Sequence, residues 1–396
     1  MEVRPGRPHP LIDTPDGVVV SGAPPGGTIT IEAHLELGGQ AWQCSGEYVA
    51  DRDGEVDTAA DASQGGSYHG VDPYGLFWGA DVHGLYDWDV LHPLRVTLQV
   101  RCDDLLAETS YARAVLGDGV AEHQVVEADV RGRLFLPEGQ GRGVVLLAGS
   151  GGGPGEPLVA ALLASHGVPA LSLAHWNHPG TPEAMRDIDV EVVARACDWL
   201  RAQDGADDLP PAVVGFSRGG ELALLAAALE PERIGPVASL VGSGVPYGAF
   251  GPGADDNDVA WRSGGEPLPQ MYEPPDDSFA ELDVPASVAA AEIAVEKPAG
   301  PVLLLSGEDD QMWPSARLSR IAEARAERLG VADRVTHVAY PDAGHFCTTP
   351  PGFPVPAEVV HPVAGVHLLI GGSRAGNQAA RLDSWRRLRD LVGATR

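Results

Sequence analysis

The hydrophobic pattern of this chain changes period part-way along its length, and no single layer architecture accommodates both periods. Over about the first 125 residues, apolar side chains fall at every second position. Ile29, Ile31, Ala33, Leu35 and Leu37 do so in "TITIEAHLEL", and Leu94, Val96, Leu98, Val100 and Cys102 do so in "LRVTLQVRC". Successive strand residues point to opposite faces, so this alternation predicts antiparallel strands with one dry and one wet face. Clusters such as "SGAPPGG" and "DRDGE" punctuate the strands. Together they predict a small all-β, immunoglobulin-like sandwich.

From about Val130 the pattern becomes strands alternating with helices, which requires a mostly parallel sheet. "GVVLLAG", "VPALSLA", "PAVVGFS", "PVASLVG", "PVLLLSG" and "VTHVAYP" read as strands. "PLVAALLASHG", "RGGELALLAAALEPE", "SARLSRIAEARAERLG" and "AARLDSWRRLRDLV" read as helices. Thr181 and Pro182 resemble an N-cap and first-turn pair, predicting a helix from there through "VEVVARACDWL". The chain of 396 residues is long enough for two buried cores. The expected division is a β-sandwich domain over 1–126 and an α/β domain over 127–396. Between Gly242 and Gly300 the periodicity gives way to glycine, proline and acidic residues, with Tyr247, Phe250, Trp261, Met271 and Tyr272 scattered among them. A stretch of that length inside a domain predicts a lid or substrate loop.

One pentapeptide sits where a strand becomes a helix. Gly215-Phe216-Ser217-Arg218-Gly219 fits G-x-S-x-G, with an apolar strand before it and a helix after it. The turn leaves no room for bulk two residues either side of the serine, and it lifts the hydroxyl above the sheet edge. The helix N-terminus beside it favours the oxyanion that forms when Ser217 attacks a carbonyl. A serine nucleophile needs a base, and the base needs an orienting acid, which follow in α/β-hydrolases in the order Ser, Asp or Glu, His. "SGEDDQMWPS" offers Asp310, with Asp309 as competitor. Asp310 is preferred because α/β-hydrolases place the acid three residues after the glycine that ends this strand. "YPDAGHF" offers His345, which Gly344 is expected to leave free to swing. "LLAGSGGGPGEP" follows an earlier strand, and the backbone amide of Gly151 or Gly152, with that of Arg218, is expected to form the oxyanion hole.

Composition removes other classes. With 56 acidic against 27 basic residues the formal net charge is -29, which repels nucleic acid and anionic membranes, so neither is expected as a partner. Lys297 is the only lysine and lies in no glycine-rich loop, which excludes a P-loop. The dinucleotide fingerprint lacks its third glycine. Four cysteines lie far apart, no H-E-x-x-H occurs, and His166, His175 and His178 read as packing or surface residues, so no metal and no cofactor is expected. No apolar run approaches membrane-spanning length and the first residues lack a signal-peptide core, which predicts a cytoplasmic protein.

Several segments, in order, resemble the family of acyl-CoA thioesterases grouped with bile-acid-CoA:amino-acid N-acyltransferase. They include the G-x-x-P-x-G-L-x-W theme from Gly70 to Trp78, "VRGRLFLPEG", "GFSRGGEL", "SGEDDQMWPS", "YPDAGHF" and "GGSRAGNQAARLDSWRRL". The resemblance implies an α/β-hydrolase domain behind the β-sandwich. It also implies a small-molecule acyl thioester substrate, carried on CoA or a carrier-bound thiol, and a covalent acyl-enzyme. The transferase branch uses cysteine as nucleophile and the thioesterases use serine, which stands at 217. The leading expectation is a serine thioesterase. The alternatives are an acyltransferase or cyclase that passes the acyl group to an amine or hydroxyl, a carboxylesterase, and a non-catalytic binding scaffold.

Overall fold

The alternating segments of the N-terminal half pair as hairpins, as their period requires. Thr28–Leu37 pairs antiparallel with Gln40–Val49, and Leu94–Cys102 with Leu105–Arg113. With Gly65–Gly66 they make a five-stranded sheet whose inward residues include Ile29, Ile31, Ala33, Val96 and Leu98. A second antiparallel sheet holds Glu2–Pro5, Val18–Ser21 and Val56–Asp57, with Val18, Val20 and Val56 fully buried. Arg113, at the end of its strand, is wholly buried, 3.0 Å from Asp16 and stacked on the Phe77 ring at 4.3 Å. Its terminal nitrogens also donate to the carbonyls of Leu11, Ile12 and Thr14, so the buried charge is paired and hydrogen-bonded inside the sandwich.

The computed structural model describes residues 1–80, 82, 91–127, 129–255, 257–272 and 279–394. The chain divides into one unit of Met1–Gly117 with Pro350–Val359 and another of Asp118–Thr349 with Val360–Arg396. The sequence placed the first division after residue 126. The strand Ala121–Val126 instead pairs antiparallel with Arg131–Leu136 in the sheet of the second unit. It is an edge strand with only Val125 buried, so its sequence carries little hydrophobic signal for the sheet it joins. Pro350–Val359 belongs to the first unit and buries Phe353 there, which no local pattern announced.

The second unit is a doubly wound α/β domain. Its strands are β1 (Ala121–Val126), β2 (Arg131–Leu136), β3 (Val144–Leu147), β4 (Ala170–Leu173), β5 (Ala212–Phe216), β6 (Val237–Leu240), β7 (Val302–Gly307) and β8 (Val335–Tyr340). They lie in the order β1-β2-β4-β3-β5-β6-β7-β8, antiparallel where β2 meets its neighbours and parallel elsewhere. This is the α/β-hydrolase order. The helices considered below are α1 (Pro157–Ser165), α2 (Glu191–Arg201), α3 (Arg218–Leu229), α4 (Ser315–Arg328) and α5 (Arg374–Val392). Every residue of β3, β4 and β6 is buried, as continuous apolar runs demand when both sheet faces are covered.

One local expectation is corrected. α2 begins at Glu191, ten residues after Thr181. Thr181 closes a turn instead, its hydroxyl donating to the His178 carbonyl at 2.9 Å. The residues between are drawn into extended pairing: the Met185 and Ile188 amides donate to Phe250 and Ala260 carbonyls, and Met185 is buried. Tertiary pairing here overrides a good local helix start. The Gly242–Gly300 stretch, of which residues 256 and 273–278 lie outside the described residues, is well packed. Tyr247, Trp261 and Met271 are buried, while Tyr272 is exposed. Trp261–Ser263 forms a small sheet with Ile188–Asp189 and Glu266–Pro267.

Candidate active site

β5 and α3 meet at Ser217 in a turn too tight for side chains on either flank. A Cβ on Gly215 would stand 1.9 Å from the Gly219 carbonyl oxygen, and one on Gly219 would stand 2.5 Å from that of Ala148. Ser217 itself adopts φ 54° and ψ −122°, a region that costs a non-glycine residue about 1–3 kcal/mol and is held here by the surrounding structure. Its amide donates to the Leu240 carbonyl on β6 at 2.8 Å. Among the described residues its hydroxyl makes no hydrogen bond, and it lines a cavity of about 480 Å³.

β7 ends at Gly307, and Asp310 follows in the loop with its side chain fully buried. Asp310 Oδ1 accepts the amides of Met312 and Trp313 at 3.0 and 3.2 Å, and Oδ2 accepts His345 Nδ1–H at 2.8 Å. Asp309, the competitor, is exposed; its Oδ2 accepts the Gly372 amide at 2.8 Å. The structure thus brings His345 to Asp310 and leaves Asp309 at the surface. The imidazole packs edge-on against Phe216, the residue before Ser217, with ring centroids 5.2 Å apart. Gly344 does not free the ring as expected. A Cβ there would meet the Gly371 carbonyl at 2.2 Å, and the His345 amide is tied to the Ile370 carbonyl at 2.8 Å, so close packing fixes the residue.

The glycine loop after β3 lies against the serine. Gly152 donates its amide to the Gly149 carbonyl at 3.2 Å, a turn bond that commits it, while the amides of Ser150 and Gly151 find no acceptor among the described residues. Arg218 opens α3 immediately after Ser217, at the positive end of that helix. Its side chain is buried beside Glu221, Nε to Oε1 2.9 Å, and donates to the carbonyls of Tyr247 and Gly248 at 2.8 Å each. Glu221 also accepts Trp261 Nε1–H at 3.0 Å; burial raises its carboxyl to about 7, and Arg218 opposes the rise. This network anchors the Gly242–Gly300 stretch to the first turn of α3, and Phe250 and Phe279 of that stretch line the cavity.

Sequence reasoning missed two lining residues, Ser150 and His361, whose side chains lie 2.8 Å apart. His361 carries no motif, and its partner is distant in the chain. Burial, and secondarily His345, hold the His361 pKa below the usual histidine range. His175 is buried with neither ring nitrogen hydrogen-bonded among the described residues, and burial lowers its pKa to about 4. A second Ser-His-acid array also exists: Ser306 Oγ to His337 Nε2 is 2.8 Å, and His337 Nδ1 to Glu323 is 2.9 Å. Ser306 is wholly buried within β7 and does not line the cavity, so this array satisfies interior polar groups. All four cysteines are buried thiols outside any disulfide, and burial pushes the Cys347 thiol far up. Among the described residues no helix is long and apolar enough to cross a membrane.

Residues 13–127 match the family described as acyl-CoA thioester hydrolase/BAAT N-terminal region, and residues 188–392 match BAAT/acyl-CoA thioester hydrolase C terminal. The chain is 32% identical over 396 residues to acyl-coenzyme A thioesterase 6 of Mus musculus, covering 95% of this chain and 92% of the relative. It is 30% identical over 401 residues to the mitochondrial acyl-coenzyme A thioesterase 2 of Homo sapiens, covering 95% and 80%. With the peroxisomal succinyl-coenzyme A thioesterase of Mus musculus the identity is 28% over 404 residues, covering 96% and 93%.

Proposed function

Since the chain belongs to the acyl-CoA thioester hydrolase/BAAT family, we propose that it hydrolyses acyl-CoA thioesters through an acyl-enzyme on Ser217. The observation that carries this reading is the buried Asp310–His345 pair at 2.8 Å, set beside a serine on a strained strand-to-helix turn. Asp310 holds the His345 proton on Nδ1, which leaves Nε2 as the base for the Ser217 hydroxyl. Attack of Ser217 Oγ on the thioester carbonyl forms a C–O bond and moves the carbonyl electrons onto oxygen. The Arg218 amide and the loop amides of Ser150 and Gly151 stabilise that oxyanion, Gly151 being retained and Gly152 set aside for its turn bond. Collapse breaks the C–S bond, and His345 delivers its proton to the leaving thiol. Water then attacks the ester with His345 again as base, releasing the acid and restoring Ser217.

The wall of the cavity supports an acyl or pantetheine occupant, since Phe250, Phe279, Met312, Trp313 and Leu368 line it. An oxygen ester on serine is less open to amines than a thioester on cysteine, so water is the favoured acceptor. Given an acyl-CoA and millimolar glycine or taurine, the protein is expected to yield free acid as about nine tenths or more of product. Mass spectrometry of the products tests this, and a predominant acyl-amino-acid conjugate would overturn the hydrolase reading in favour of acyl transfer.

A further inference from the structure

The loop after β3 and the turn that begins at His361 meet at a side-chain pair that the proton relay does not use. Ser150 Oγ lies 2.8 Å from His361 Nε2, and both residues line the cavity that Ser217 and Asp310 line. The other ring nitrogen, Nδ1, receives two backbone donors, the amides of Val363 at 3.2 Å and Ala364 at 3.1 Å. A nitrogen that accepts cannot carry a proton, so the ring is neutral and its proton sits on Nε2. Burial favours the same neutral form. The ring is also rigidly held. The His361 amide donates to the Val366 carbonyl and the Gly365 amide to the His361 carbonyl, each at 2.8 Å, and Phe250 packs edge-on against the imidazole at 5.3 Å.

This proton count fixes the orientation of Ser150. Nε2–H donates into Ser150 Oγ, so the hydroxyl proton of Ser150 cannot point back at His361. Among the described residues Ser150 Oγ has no other partner. Gly149, immediately before it, abuts the nucleophile: a Cβ there would lie 2.9 Å from Ser217 Cβ and 3.5 Å from Ser217 Oγ. We propose that Ser150 donates a side-chain hydrogen bond to the acyl oxygen as it becomes an oxyanion, and that His361 is a positioning residue that aims that proton. The proposal rests on the acyl-enzyme reading of Ser217 and adds a hydroxyl donor to the backbone amides. The hydroxyl keeps its proton throughout. Because its oxygen already accepts a hydrogen bond, its own O–H is polarised and donates more strongly.

The test is steady-state thioester hydrolysis by Ser150→Ala, Ser150→Thr, His361→Ala and the Ser150→Ala/His361→Ala double variant. Each preparation is also titrated with a fluorophosphonate to count competent Ser217. A donor used only in the transition state predicts kcat about 10- to 100-fold lower in Ser150→Ala and His361→Ala, with KM within about threefold. Ser150→Thr, which keeps the hydroxyl, is expected to restore most of the rate. If His361 acts through Ser150, the double variant is no slower than Ser150→Ala alone. A kcat for Ser150→Ala within threefold of wild type, or single losses that multiply in the double variant, would overturn the proposal. Failure of the underlying reading is distinguishable, because wild-type protein would then not label at Ser217.

Discussion

Replacing Asp310 with asparagine distinguishes a proton relay from a buried ion pair that only stabilises the fold. Two backbone amides, from Met312 and Trp313, point at Oδ1 from 3.0 and 3.2 Å, and they require an oxygen there. An asparagine therefore keeps its carbonyl on that side and turns its NH₂ towards His345 Nδ1, which lies 2.8 Å from Oδ2 in the wild type. Two donors then face one another, and the imidazole relieves the clash by moving its proton from Nδ1 to Nε2. Nε2 becomes a donor towards Ser217 where the reaction needs a base. A wrong tautomer in such a triad costs about 10⁴ in kcat, equivalent to about 5 kcal/mol of transition-state stabilisation. The fold should survive, because both amides keep their acceptor and the side chain keeps its shape. Asp309→Asn is the control: Asp309 is exposed and its Gly372 contact needs only an oxygen, so kcat should stay within about threefold. Thiol release from an acyl-CoA, measured with the melting temperature of each variant, is the assay. A kcat for Asp310→Asn within tenfold of wild type, or greater damage from Asp309→Asn, would refute the reasoning.

His175 makes stability depend on pH. Its folded-state pKa is depressed by burial from 6.5 to about 4, so between those values the unfolded chain binds a proton that the folded chain does not. Stability is therefore fully present above about pH 6.5 and is lost as pH falls towards 4, by on the order of 3 kcal/mol. His175→Phe should flatten that limb in urea titrations at pH 4.5 and 6.5, and an unchanged difference between the two would count against the assignment. Glu221→Ala removes the carboxylate facing Arg218 and the acceptor of Trp261 Nε1–H. Breaking such a buried pair costs about 3–5 kcal/mol, which lowers the melting temperature by roughly 10 °C. Calorimetry decides, and a shift under about 3 °C would show that the network does not anchor the Gly242–Gly300 stretch.

What was legible in the sequence followed from local steric and periodic rules. Gly215 and Gly219 flag Ser217 because only glycine fits where a Cβ would meet carbonyl oxygens at 1.9 and 2.5 Å. Continuous apolar runs such as β3 and β7 announce themselves because both sheet faces are covered. The places of Asp310 and His345 after β7 and β8, which let the two side chains meet, were readable, but Gly344 was misread, since it packs closely against Gly371. Ser150 and His361 were not legible. They meet across 211 residues, and nothing in "EVVHPVAGV" reports that two amides will fix a tautomer. Thr181-Pro182 misled for the complementary reason: a good local helix start was overridden by extended pairing around Met185 and Ile188. The strand Ala121–Val126, with only Val125 buried, could not show which sheet it completes.

The covalent intermediate is the most direct test of the account. Purified protein is mixed with excess acyl-CoA, quenched in acid within the first turnovers, digested and examined by mass spectrometry, with Ser217→Ala in parallel. The account predicts the acyl mass on Ser217 of the wild type, and in Ser217→Ala neither that mass nor thiol release above about one thousandth of wild type. An acyl group on another residue, Cys347 included, or thiol release by Ser217→Ala within tenfold of wild type, would contradict it.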